Sequence, residues 1–174
     1  MATILPVKGI SPKIPTSTWL APNATVVGDT EMGDDCTVWF NAVIRGDVNS
    51  IRIGNRVNIQ DGVVIHCTYE KTKTIIGDNV SIGHNAILHG CVVEEEVLIG
   101  MGAIVMDGAV IEKNAIIGAG AVVTSNTRVP SGQIWVGNPA KYLKDVSEKA
   151  GDVFMRTADN YLTSASWFGK EIKE

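Results

Sequence analysis

The sequence predicts an all-β chain, a parallel β-helix finished by a C-terminal α-helix. The main observation is a fixed period. Aliphatic residues recur at every sixth position: Ile53, Ile59 and Ile65, then Ile76, Ile82 and Leu88. After one five-residue step they continue as Val93, Ile99, Val105, Ile111, Ile117 and Val123. The second observation is what accompanies the grid. Gly follows it at Gly54, Gly77, Gly83, Gly100 and Gly118, and four residues beyond a grid position the side chain is usually small or β-branched. These are Val57, Val63, Val80, Ala86, Val92, Val97, Ala103, Ala109, Ala115 and Ala121. The third is the absence of helical spacing of three and four from this stretch.

A hexapeptide is a short strand plus a turn, and three make a triangular coil of about 18 residues. Coils then stack at the strand spacing of ~4.8 Å. The aliphatic column points inward and is the core. Gly relieves the corner, where positive φ or close backbone approach is needed.

Taken in order, residues 1–22 carry Pro6, Pro12, Pro15 and Pro22 and read as an extended lead-in with a short edge strand at best. The coil signal begins at Val27-Gly28 and Met32-Gly33 and continues at Val38 and Ile44. The step from Ile44 to Ile53 exceeds one period, which predicts a short loop around Asn49-Ser50. A second loop, five residues longer than the grid allows, falls within Thr68–Lys73. The grid fades after Val129, and Pro130, Gly132, Gly137 and Pro139 mark the exit. Residues 1–143 are therefore assigned to the β-helix and 144–174 to a helical segment packed on it. There Ala158, Tyr161, Leu162 and Ala165 have helical spacing, with a break expected at Gly151. The segment covers a coil face and caps an end, as solenoids require.

Composition excludes several classes. The 174 residues suit one domain, and the net charge of −4 with no basic run argues against nucleic acid. No stretch approaches the ~20 apolar residues of a membrane span. The opening residues, interrupted by prolines, lack the apolar core of a signal peptide. A cytoplasmic protein is expected. The odd number of cysteines, Cys36, Cys67 and Cys91, argues against a disulfide framework.

The histidines number three, and all lie within one short stretch: His66, His84 and His89. His66 and His89 each follow a grid residue directly. They are 23 residues apart, one coil plus the five-residue loop. They should stand one above the other on adjacent coils, pointing outward. His84, two residues after Ile82, leaves the triangle at a different face or corner. Three histidines with one open position make a catalytic zinc set. Two readings remain. The histidines are plain surface residues, or two ligands come from one chain and the third from a neighbouring copy. A cyclic trimer would then hold three equivalent interfacial metal sites.

Several motifs resemble one family. Asn41-Ala42-Val43-Ile44-Arg45-Gly46-Asp47, then Asn58-Ile59-Gln60-Asp61-Gly62, then His66, then Gly83-His84-Asn85-Ala86-Ile87-Leu88-His89-Gly90 are similar to the γ-class carbonic anhydrases and their bacterial short-loop relatives. The exit segment from Val136 through Pro139 to Lys141 is also typical. The resemblance covers about residues 10–145. It implies a left-handed parallel β-helix assembled as a homotrimer. It also implies zinc, with cobalt or iron as alternatives, held by His66 and His89 of one subunit and His84 of the next. The implied activity is hydration of CO2 to bicarbonate by a metal-bound hydroxide at the trimer interfaces. Gln60 and Asp61 resemble the polar pair beside the metal, with Gln60 placing hydroxide or CO2 and Asn58 orienting Gln60. Arg45 and Asp47 resemble a charged pair that crosses the interface, and Asp61 is a further partner for Arg45. Tyr161 matches a helix tyrosine near the site. The acidic loop that serves proton transfer in the best-known members is missing: Asn49-Ser50 is short and neutral, and only Glu70 lies in the second loop.

Alternatives accompany these assignments. Arg45, Asp47, Gln60 and Asp61 also fit an interface ion-pair network without chemistry. Cys67 and Cys91 fit small buried hydrophobes better than ligands. Trp39 and Trp135 fit core or interface, and Glu94-Glu95-Glu96 a solvated corner. The same fold serves coenzyme A-dependent acyltransferases, which want a lone catalytic His and a long loop. A metal-dependent thioesterase or other hydrolase and a non-catalytic trimeric scaffold complete the set.

Overall fold

The structure, a computed structural model, describes residues 1–147 and 152–168. It is a parallel β-helix with one C-terminal helix, Asp152–Phe168. The coils have three walls. On the first, strands Thr3–Leu5, Thr25–Met32, Val43–Ile53, Val64–His66, Ile87–His89, Ile104–Val105 and Val122–Val123 stack in parallel. The third wall is a separate eight-stranded sheet that begins at Trp19–Leu20. The first and second walls form one eleven-stranded sheet because two strands turn the corner between them. Val43–Ile53 pairs with Val64–His66 through Val43 and Ile44, then with Thr74–Ile76 through Ile51, Arg52 and Ile53.

The core is the grid. All twelve predicted aliphatics are buried, from Ile53 to Val123. The small residues two positions before them fill the corners, with one correction at the five-residue step. Val92 is half-buried, and Cys91 takes the inward place because inward direction is counted back from Val93. The glycines that directly follow the grid serve close approach. A Cβ at Gly77 would come within 2.6 Å of the Glu95 backbone nitrogen on the next coil. Positive φ falls instead on turn residues, both asparagines such as Asn79, Asn85, Asn114 and Asn126 and turn glycines such as Gly102 and Gly120, which tolerate the left-handed region.

Three sequence expectations change. The extra residues at Asn49-Ser50 do not leave the sheet as a loop. They stay within Val43–Ile53, opposite a register shift between Gly28 and Thr30. The helical segment does not begin at residue 144. Lys141–Asp145 is an exposed strand, antiparallel to Gln133–Val136, and it closes one end of the third wall. The lead-in contributes two short strands rather than one. The second loop is found where expected, as turns between Thr68 and Thr72. The expected break at Gly151 lies outside the described residues.

The helix buries Phe154, Ala158 and Ala165, spaced by four and seven as one helical face requires. Its last residue, Phe168, meets Trp19, Trp39 and Phe40 with ring centroids 5.5, 5.9 and 5.6 Å away. Trp39 is thus a core residue beneath the helix. Arg56 Nη2 reaches Asp159 Oδ1 at 2.5 Å. Among the described residues no helix is long and apolar enough to cross a membrane.

Candidate metal centre

His66 and His89 end neighbouring strands of the first wall, and their Cα positions are in register. Both alternate outward because the inward places belong to Ile65 and Leu88. Their rings meet at an angle, centroids 5.1 Å apart. His66 Nδ1 and His89 Nε2 lie 3.1 Å from each other. The other nitrogen of each ring is held by a carboxylate. His66 Nε2 is 2.9 Å from Asp47 Oδ1, and His89 Nδ1 is 2.9 Å from Asp107 Oδ2. The arrangement is a column of carboxylate, imidazole, imidazole and carboxylate along four successive coils.

Both carboxylates are ionised. Partial burial works against Asp47, but His66 and Arg45 more than offset it and hold its pKa below the usual range. Arg45 Nη1 is 2.5 Å from Asp47 Oδ2. Burial also opposes Asp107, and hydrogen bonds from Thr72, Thr68 and His89 bring it down to about 2. The backbone between the histidines is fixed as well. Thr74 Oγ1 donates to the His66 carbonyl at 2.6 Å and accepts the Gly90 N–H at 3.0 Å.

His84 stands at the other corner of the same wall. It lies in the turn that leads from Ser81–Ile82 into Ile87–His89. Its Nδ1 is 2.8 Å from Asp61 Oδ2, so Asp61 takes His84 and not Arg45 as its partner. Gln60 is 7% exposed and donates from Nε2 to Asn58 Oδ1 at 3.0 Å. Asn58 Nδ2 donates in turn to Ser81 Oγ at 2.7 Å. Tyr161 packs on Trp39 with centroids 5.3 Å apart. Burial, then the charge of Asp61, push its phenol above the ordinary range. Tyr161 therefore belongs to the His84 corner. Between the two corners the wall exposes Val64 and Ile87, in register and each more than a third accessible.

These residues fit a divalent cation. Nitrogens about 2.0–2.1 Å from a tetrahedral zinc lie about 3.3–3.4 Å apart, close to the gap between the inward nitrogens of His66 and His89. Carboxylates on the far nitrogens are the usual outer partners of metal-binding imidazoles. Among the described residues no group of three or more His, Cys, Asp or Glu within one copy is arranged around a cation. The cysteines stay apart from this chemistry: all three are free and buried, and burial pushes Cys91 up to about 12.

Sequence reasoning missed Asp107, Thr68 and Thr72. The grid puts Met106 over His89, because Leu88 pairs with Val105; Asp107 stands one residue further on, and its contact with His89 Nδ1 emerges only in the fold.

Known proteins bear on this geometry. Residues 90–125 match a family model described as bacterial transferase hexapeptide (six repeats), and residues 73–105 one described as hexapeptide repeat of succinyl-transferase. The chain is 40% identical over 174 residues to the Arabidopsis thaliana protein named gamma carbonic anhydrase 2, mitochondrial, covering 97% of this chain and 63% of that one. It thus spans less than two thirds of that relative's length. It is 43% identical over 165 residues to a carbonic anhydrase of Geobacillus kaustophilus, covering 95% of this chain and 90% of that one. A crystal structure of a Bacillus cereus protein, provisionally described as an acetyltransferase, superposes with a TM-score of 0.93 at 37% identity, covering 96% of both chains. With 40–43% identity to proteins so named along nearly the whole chain, and the hexapeptide scaffold beneath it, the chain belongs to the γ-class carbonic anhydrase family.

Proposed function

We propose that the protein hydrates CO2 to bicarbonate at zinc sites shared between copies of a homotrimer, each site using His66 and His89 of one copy and His84 of the next. The observation that carries this reading is the pair of inward nitrogens on His66 and His89, 3.1 Å apart, each ring anchored from behind by a carboxylate. Two imidazoles leave a zinc short of its usual protein ligands. His84 stands at the far corner of the wall, where a neighbouring copy's wall can meet it. The apolar strip of Val64 and Ile87 lies between, as an interface between copies would need. Relatives named carbonic anhydrases support the substrate.

A bound divalent cation would supply Lewis acidity that lowers the pKa of water from about 15.7 to about 7. The chain's own residues do the rest. Asp47 and Asp107 fix the ring orientations and add negative charge behind them. Asp61 does the same for His84. Gln60, its Nε2 committed to Asn58, presents its carbonyl Oε1 as an acceptor that orients the attacking nucleophile without adding charge. The Val64 and Ile87 strip, covered by the next copy, excludes bulk water. Arg45 and Asp47 belong to the same interface. Cytoplasmic residence, suggested by three free cysteines, is part of this reading.

The acetyltransferase description of the Bacillus cereus neighbour offers a second reading. The anchored histidine pair favours the first, because acyl transfer needs one imidazole base and gives the second no task. The test is metal analysis of protein purified without added metal, its oligomer mass, and a CO2 hydration assay. Stoichiometric zinc, a trimer mass and hydration are expected. A metal-free monomer that transfers acetyl groups from coenzyme A would overturn the reading.

A further inference from the structure

The Thr68–Lys73 insertion stands beside the histidine column, and its side chains close a network over it. Thr68 Oγ1 and Thr72 Oγ1 each donate to Asp107 Oδ1 at 2.7 Å. The Thr72 hydroxyl also accepts the Thr68 N–H at 3.1 Å, which ties the two ends of the turn together. Asp107 Oδ2 faces His89 Nδ1 at 2.9 Å. The carboxylate is thereby divided, one oxygen for the insertion and one for the imidazole. Gly90 leaves the space this needs, since a Cβ there would collide with both Thr72 Oγ1 and Asp107 Oδ1.

We infer that the insertion is a positioning device for His89: Thr68 and Thr72 hold Asp107, and Asp107 fixes the proton of His89 on Nδ1 so that Nε2 keeps its lone pair. Two hydroxyls that both donate to Oδ1 leave Oδ2 as an acceptor only, and an acceptor beside Nδ1 demands N–H there. A neutral imidazole protonated on Nδ1 is unprotonated on Nε2, the nitrogen that faces His66. The five added residues therefore serve the site without supplying a ligand. Thr68, Thr72 and Asp107 are positioning residues and touch neither substrate nor cation. This inference rests on the reading of His89 as a metal ligand only for its effect on affinity; the tautomer follows from the network itself.

Two variants test it. Asp107→Asn keeps the shape, but an amide cannot accept both hydroxyls and the imidazole. Thr68→Val with Thr72→Val keeps Asp107 and removes its anchors. Nitrogen-15 NMR of the metal-free protein should show His89 protonated on Nδ1 in wild type and a mixture of tautomers in each variant. Zn2+ affinity, read by competition with a chelator, should fall about 10–100-fold in each, with far-UV circular dichroism unchanged. An unaltered His89 tautomer in both variants would overturn the inference. If wild type binds no Zn2+, the proposed metal function fails, and the tautomer comparison still decides the role of the insertion.

Discussion

His84 Nδ1 lies 2.8 Å from Asp61 Oδ2, across two successive coils of one corner. The backbone repeats the link, with the Asn85 N–H donating to the Asp61 carbonyl at 2.8 Å. His84 is therefore oriented by contacts within its own chain. Asp61→Ala should leave the fold intact and lower Zn2+ affinity about 10–100-fold, measured by chelator competition. Unchanged affinity would show that Asp61 does not orient a ligand.

His89→Ala removes one of the two stacked imidazoles and leaves the inward grid untouched. The side chain is one-third exposed, so no core volume is lost. The variant should keep its circular dichroism and oligomer mass but bind no stoichiometric zinc. Zinc retained at one per chain would refute the ligand assignment.

Phe154 and Arg56 both hold the C-terminal helix, and magnitudes separate them. Phe154 is 1% exposed, and Phe154→Ala should cost about 3–5 kcal/mol. The Arg56–Asp159 pair is well exposed at Asp159, so Arg56→Ala should cost less than about 1 kcal/mol. Urea denaturation of the two variants checks the order. A larger loss for Arg56→Ala would mean that the ion pair, not the apolar face, docks the helix.

Cys36 is pushed up to about 11 by burial, above its ordinary value of 9.0. A thiol whose pKa is higher when folded stabilises the fold fully below the unfolded value. That contribution declines as pH rises from about 9 through about 11. The urea midpoint of wild type should fall across this window, and less steeply in Cys36→Ala. Parallel pH profiles for the two proteins would exclude the effect. At neutral pH the native thiol should resist alkylation.

The architecture was readable because each hexapeptide repeats the same local demand. Ile59, Ile82 and Ile99 sit at equivalent places, so a period suffices to find them. The stacking of His66 on His89 followed from the same arithmetic. What escaped was anything set by choice among neighbours. The grid could not show that Asp61 turns to His84 while Arg45 turns to Asp47, because those pairings depend on which corner each side chain leaves. Thr68 and Thr72 were hidden because an insertion breaks the period that gives the rest its meaning. Lys141–Asp145 carries no strand period of its own, and its pairing with Gln133–Val136 is a matter of chain reversal. Cys91 replaced Val92 because a five-residue step shifts which neighbour faces inward.

The unbroken run from Val43 to Ile53 carries a last implication. Stacked-rung proteins can fray from an end, one rung releasing after another. A segment shared by two sides of the prism cannot peel from one without dragging the other. Amide exchange should therefore slow abruptly around Ile44 and Ile51, marking a clasp that keeps the anchored imidazoles out of reach of melting at the amino-terminal end.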